Sequence, residues 1–76
     1  MPKEPELTNQ LRRLRFERAE MTQEELAGKV GVTRQTIIAI ESGRYAPSLP
    51  LALRISQVFG LPIEGVFALN GKQMNK

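Results

Sequence analysis

Residues 21–43, MTQEELAGKVGVTRQTIIAIESG, constrain this chain most, because they spell two short capped helices joined at a glycine. Thr22 is suited to N-cap the first, and Glu25 three residues on completes a capping box with it. Leu26, Ala27 and Val30 then fall on one helical face, and Gly31 stops the helix by taking positive φ. Val32 follows as a buried pin. Thr33 caps a second helix from Arg34 to Ser42, which Gly43 ends in turn.

The rest of the chain supplies helices for this pair to pack against. Residues 1–7 carry two prolines and mixed charge and read as a flexible lead-in. Thr8 N-caps a helix that ends near Glu20, with Leu11, Leu14 and Ala19 near helical spacing among Arg12, Arg13, Arg15 and Arg18. After the loop Arg44-Tyr45-Ala46-Pro47, Ser48 caps a helix from Leu49 to Phe59, with Pro50 tolerated in its first turn and Gly60 beyond its end. Leu61-Pro62 opens a last short helix containing Ile63, Val66 and Phe67, and residues 70–76 read as a flexible polar tail. No stretch alternates with period two long enough for a core strand, so the predicted fold is all-α with five helices, one domain over residues 8–69. Its predicted core comprises Leu26, Ala27, Val30, Val32, Ile37, Ile40, Leu53, Ile55 and Phe59.

Composition narrows the chemistry. A chain of 76 residues has room for one small core, and without cysteine it must hold together by packing. It also lacks His, Asp and Trp, which removes Ser-His-Asp and Cys-His chemistry and the usual imidazole and thiolate metal ligands. No catalytic residue, cofactor, metal or small-molecule ligand is expected. The net charge of +3 and the pI of about 9.8 favour an anionic partner without naming one. With no membrane-length apolar run and no signal-peptide pattern at the N-terminus, a soluble cytoplasmic protein is expected.

On a wheel of about 100° per residue, the helix opened by Thr33 turns Ile37 and Ile40 to one side, with the near side of Glu41. Gln35, Ile38 and Ala39 face the other way, flanked by Arg34 and Thr36. One face packs and the other is furnished to read DNA: Arg matches guanine O6 and N7, Gln matches adenine N6 and N7, and Thr, Ala or Ile can touch a thymine methyl. Ile38 equally fits the scattered apolar residues that surfaces tolerate. Gln23 sits at a helix N-terminus, where free N–H groups favour a phosphate, and Arg44 and Tyr45 lie just past the reading helix on its other side.

These motifs together resemble the Xre family of bacterial, archaeal and phage helix-turn-helix regulators, which includes the Cro and CI type phage repressors. The resemblance spans residues 8–67 and rests on TQEELA, the Gly31 turn, TRQTI, IESG and PSL. It implies a five-helix, lambda-repressor-like DNA-binding domain, with Gln23, Thr33, Arg34, Gln35, Thr36, Ala39 and Arg44 in the DNA-contacting places. It further implies an ion pair between Arg15 and Glu41, although the turn Ala19-Glu20-Met21 is one residue longer than the commonest family form. Family members bind as twofold dimers with recognition helices about 34 Å apart, which implies a homodimeric repressor on a short palindromic operator.

Several residues carry a second reading. Arg12, Arg13, Arg15 and Arg18 form either a DNA patch or, interrupted by Glu17 and Glu20, a solvated face. Glu24 and Glu25 look like paired carboxylates but fit helix capping better. Phe67 and Leu69 serve a dimer contact, or Phe67 closes the core. For the whole chain the alternative is a protein-interaction module of the same fold, a coactivator-like adaptor or an antitoxin.

Overall fold

The two capped helices of residues 21–43 form in the computed structural model, which describes residues 6–70. Helix α2 runs Gln23–Val30 and helix α3 Arg34–Glu41. Both halves of the capping box are made: Thr22 Oγ1 accepts from the Glu25 N–H at 2.9 Å, and Glu25 Oε1 accepts from the Thr22 N–H at 2.8 Å. Gly31, at φ 79°, takes the left-handed conformation that lets Val32 N–H donate back to Ala27 O at 3.0 Å. Thr33 Oγ1 then accepts from the Thr36 N–H at 3.3 Å, starting α3 three residues after the glycine.

Helix α4, Leu49–Phe59, is built by the same rules, with Ser48 capping Leu51 N–H and Gly60 left-handed at φ 66°. It buries Leu51, Ala52, Ile55, Ser56 and Phe59. Leu53 is not core: two positions from Leu51 it points away from that stripe, and it is 45% exposed.

The first helix departs from expectation at both ends. Helix α1 is Leu11–Glu17, and Thr8 does not cap it. Thr8 lies in a strand, and Asn9 takes over the local role, its Oδ1 accepting from the Leu11 N–H at 3.1 Å. At the other end the chain leaves the helix after Glu17 and turns through Ala19 and Glu20, both left-handed at φ 55° and 57°. That turn absorbs the extra residue and leaves Ala19 exposed, so it has no part in the core.

The all-α prediction with five helices is corrected to four α-helices, a single 3-10 turn at Ile63–Gly65 and a two-stranded antiparallel ribbon among the described residues. Strand β1, Leu7–Asn9, pairs with β2, Phe67–Leu69, in the register Leu7 to Leu69, Thr8 to Ala68 and Asn9 to Phe67. Three residues are too few to show a period-two pattern, and the pairing joins distant ends of the chain. Leu7 is therefore paired, where a flexible lead-in was expected. Just outside the ribbon the Asn70 N–H donates to Glu6 O at 2.7 Å, and the rest of the lead-in expected at 1–7 and of the tail expected at 70–76, residues 1–5 and 71–76, lies outside the described residues.

The core runs between the helices through Leu11, Leu14, Leu26, Ile37, Ile40, Ile55, Phe59 and Val66, with Val32 packed on its edge. Two arginines close helix ends across it. Arg54 Nε donates to Val30 O at 3.3 Å, and Arg18 donates to Val58 O at 3.3 Å and Phe59 O at 2.9 Å with its guanidinium over the Phe59 ring. The last carbonyls of α2 and α4 thus gain charged donors where the macrodipole favours them. Among the described residues no helix is long and apolar enough to cross a membrane.

Candidate nucleic-acid interface

Helix α3 is anchored by Ile37 and Ile40, which are buried side by side. Each such burial contributes about 1.5–3 kcal/mol, enough to fix which face of α3 is left outside. That outer face carries Arg34 and Gln35 exposed, with Thr36, Ile38 and Ala39 half-buried. The separation expected from the wheel is present, although Ile38 is more sheltered than a freely exposed reader.

The C-terminal end of α3 is held from three directions. Asn9 Nδ2 donates to Ile40 O at 2.9 Å, tying the helix to the ribbon. Arg15 reaches Glu41 with two donors, Nε to Oε2 at 2.6 Å and Nη2 to Oε1 at 3.0 Å, and its Nη1 donates to Met21 O at 2.8 Å. Gln23 Nε2 adds a bond to Glu41 Oε1 at 3.1 Å. One carboxylate therefore joins the end of α1, the start of α2 and the end of α3. Rigid support of this kind matters because base-edge hydrogen bonds tolerate little misplacement.

The remaining candidate contacts fall around α3. The Gln23 side chain lies at the N-terminus of α2, oriented by Glu41. The Thr33 hydroxyl is occupied by capping and by a 3.2 Å bond with the Thr36 hydroxyl, which keeps both at the N-terminal end of the outer face of α3. Past the other end, the Arg44 and Tyr45 N–H groups both donate to Ala39 O, at 3.0 and 3.2 Å, folding the loop back against α3. Arg44 Nε donates to Ser42 Oγ at 3.1 Å, and both Arg44 and Tyr45 are exposed. Glu25 is committed to capping, and Glu24 stands exposed beside it.

The arginine cluster of α1 divides rather than acting as one patch. Arg13 pairs with Glu17 at 3.2 Å, Arg15 with Glu41, and Arg18 closes α4. Arg12 instead lines a groove with Phe16, Arg34 and Ile38, running to Thr22 and Gln23. The sequence leaves Arg12 between a DNA patch and a solvated face and does not single out Phe16, because nothing local shows which face of α1 borders α3. Among the described residues no cluster of three or more His, Cys, Asp or Glu side chains is placed to hold a metal ion.

Two capped helices meeting at a left-handed glycine, the second with its outer face bare and polar, define a helix-turn-helix protein. Residues 11–66 match the helix-turn-helix family model, so this chain belongs to that family, in its Xre-type branch. An uncharacterized HTH-type transcriptional regulator of Methanocaldococcus jannaschii is 56% identical over 57 residues, covering 72% of this chain and 86% of the relative. The uncharacterized HTH-type transcriptional regulator YgzD of Bacillus subtilis is 49% identical over 63 residues, 83% of this chain and 94% of its own length. The cryptic phage CTXphi transcriptional repressor RstR of Vibrio cholerae is 36% identical over 56 residues, 74% of this chain and 50% of RstR.

Proposed function

We propose that this chain is a sequence-specific DNA-binding transcriptional regulator that binds a short palindromic operator as a homodimer and represses by occluding the promoter. The observation that carries this function is the outer face of α3, where Arg34 and Gln35 stand exposed on a helix whose C-terminal end is held by Asn9 and Arg15. Arg34, Gln35, Thr36, Ile38 and Ala39 read base edges, while Gln23, Thr33, Arg44 and Tyr45 hold phosphates on either side. The likeness to a phage repressor supports the sign of regulation. Such a protein acts on the chromosome in the cytoplasm, and no catalytic step is assigned to it.

A twofold dimer needs a self-complementary contact. Of the two candidates near the end of the fold, Phe67 is buried and closes the core, whereas Leu69, at the end of β2, is 52% exposed. Leu69 is therefore the residue proposed for the contact.

Selection of bound duplexes from a random pool tests the function. One sequence with two inverted half-sites about one helical turn apart is expected, with affinity that falls steeply as salt rises. A pool that stays random would overturn the function in favour of a protein-interaction module.

A further inference from the structure

Helix α1 carries a face that neither the core nor the Arg15–Glu41 pair uses. Arg12 and Phe16 stand on it one turn apart, and Phe16 is 69% exposed. They form one wall of the groove whose other wall is Arg34 and Ile38 of α3. Arg12 and Arg34 make no ion pair and no side-chain hydrogen bond among the described residues, whereas Arg13, Arg15, Arg18, Arg44 and Arg54 each make one or more. The two arginines that border the groove without a partner thus keep their whole donor capacity for something outside the chain.

We propose that this groove seats the sugar–phosphate backbone of one DNA strand, with Arg12 donating to a phosphate and Phe16 covering the neighbouring deoxyribose. The proposal rests on α3 being the reading helix. A helix about 10–12 Å across fills a major groove about 12 Å wide, so the two backbones that border the groove must run along whatever flanks the helix. Arg44 and Tyr45 stand past the C-terminal end of α3. The groove walled by Arg12 and Phe16 runs alongside α3 and is continuous with its outer face through Arg34 and Ile38. Charge sets the track within it: a strand held by Gln23 at the start of α2 keeps its phosphates clear of the Glu20 and Glu24 carboxylates, and the free guanidinium of Arg12 on α1 draws the neighbouring phosphate. An aromatic ring beside that cation suits the apolar C–H face of a deoxyribose.

Because the chain contains no tryptophan, F16W installs a single fluorophore in the groove. Saturating operator duplex should shield it from acrylamide, cutting the quenching constant by at least about half, with the circular dichroism of the free protein unchanged. R12Q should lower operator affinity about eightfold near 0.1 M salt and reduce the slope of log affinity against log salt by about 0.9, the release of one phosphate's counterions. R12K should restore the slope, since a phosphate contact needs the charge and not the planar fork. The base preference recovered by selection should be unchanged in R12Q. If the duplex is bound with wild-type selectivity while quenching and slope do not move, the groove carries no backbone and the reading function of α3 still stands. If the wild-type chain shows no salt-dependent, selective binding, both are overturned together.

Discussion

The guanidinium of Arg15 meets the carboxylate of Glu41 side-on, through bonds of 2.6 and 3.0 Å, and so fastens α1 to the end of α3. The two side chains are only 15% and 10% exposed, which makes this pair different in kind from the open Arg13–Glu17 pair on the surface. Desolvation has already cost both ions, and removing one leaves the other without compensation. E41A is expected to lower the unfolding free energy by about 3 kcal/mol, read as a shift in the urea midpoint. The double substitution R15M/E41L should lose less than E41A alone, because no unpaired charge remains. Equal losses in the single and double variants would mean that packing, not the charge pair, sets the cost.

Backbone conformation gives stability changes of opposite sign at neighbouring turns. Gly31, left-handed at φ 79°, has no Cβ to strain, and G31A should cost about 1–2 kcal/mol. Ala19 is left-handed at φ 55° and bears that strain already. A19G relieves it at the expense of greater freedom in the unfolded chain, for a net gain of about 0.5 kcal/mol. Denaturant midpoints for the two variants should move in opposite directions.

Gly28 offers a plainer gain. It lies inside α2 at an ordinary helical position, and a Cβ added there meets nothing within 4 Å. G28A should stabilise the domain by about 0.5–1 kcal/mol. Thermal unfolding followed by circular dichroism reads the effect, and an unchanged or lowered midpoint would count against it.

How far the sequence could be read followed how local each cause was. Thr22, Glu25, Gly31, Thr33, Ser48 and Gly60 act within four residues of themselves, and each does what its type and spacing predict. The split of α3 into Ile37 and Ile40 against Arg34 and Gln35 was likewise carried by helical period alone. The ribbon was not, because Leu7 owes its conformation to Leu69 at the far end of the chain. Thr8 has the chemistry of an N-cap, yet strand pairing outweighs it. For the same reason the groove at Arg12 and Phe16 was invisible: a helix wheel gives the faces of α1 but not which of them borders α3. The Arg15–Glu41 pair, equally non-local, was reached through family resemblance and not from spacing.

Arg18 tests whether the basic face of α1 acts as a unit. Its donors are taken by Val58 O and Phe59 O at the end of α4, so its role is to hold two helices together. R18M keeps an apolar stem over Phe59 and removes those bonds. It should cost about 1.5–3 kcal/mol of stability, the net worth of hydrogen bonding by a charged group, while operator affinity and its salt slope stay at the wild-type values. A reduced salt slope in R18M would place Arg18 on the DNA instead.

Arg34 separates reading from simple attraction. Its side chain is exposed and without a partner among the described residues, so R34A should change stability by no more than about 0.5 kcal/mol. Loss of a guanidinium that donates to guanine O6 and N7 should weaken operator binding by about 1–3 kcal/mol and relax the preference at one base pair. Binding to random duplex should fall far less, because non-specific attraction is spread over the remaining cations. Titration of R34A against operator and random duplexes at one salt concentration distinguishes the two roles. Were both affinities to drop by the same factor, Arg34 would be holding a phosphate, and the burden of reading at that position would pass to Gln35, whose exposed amide is next along the same face.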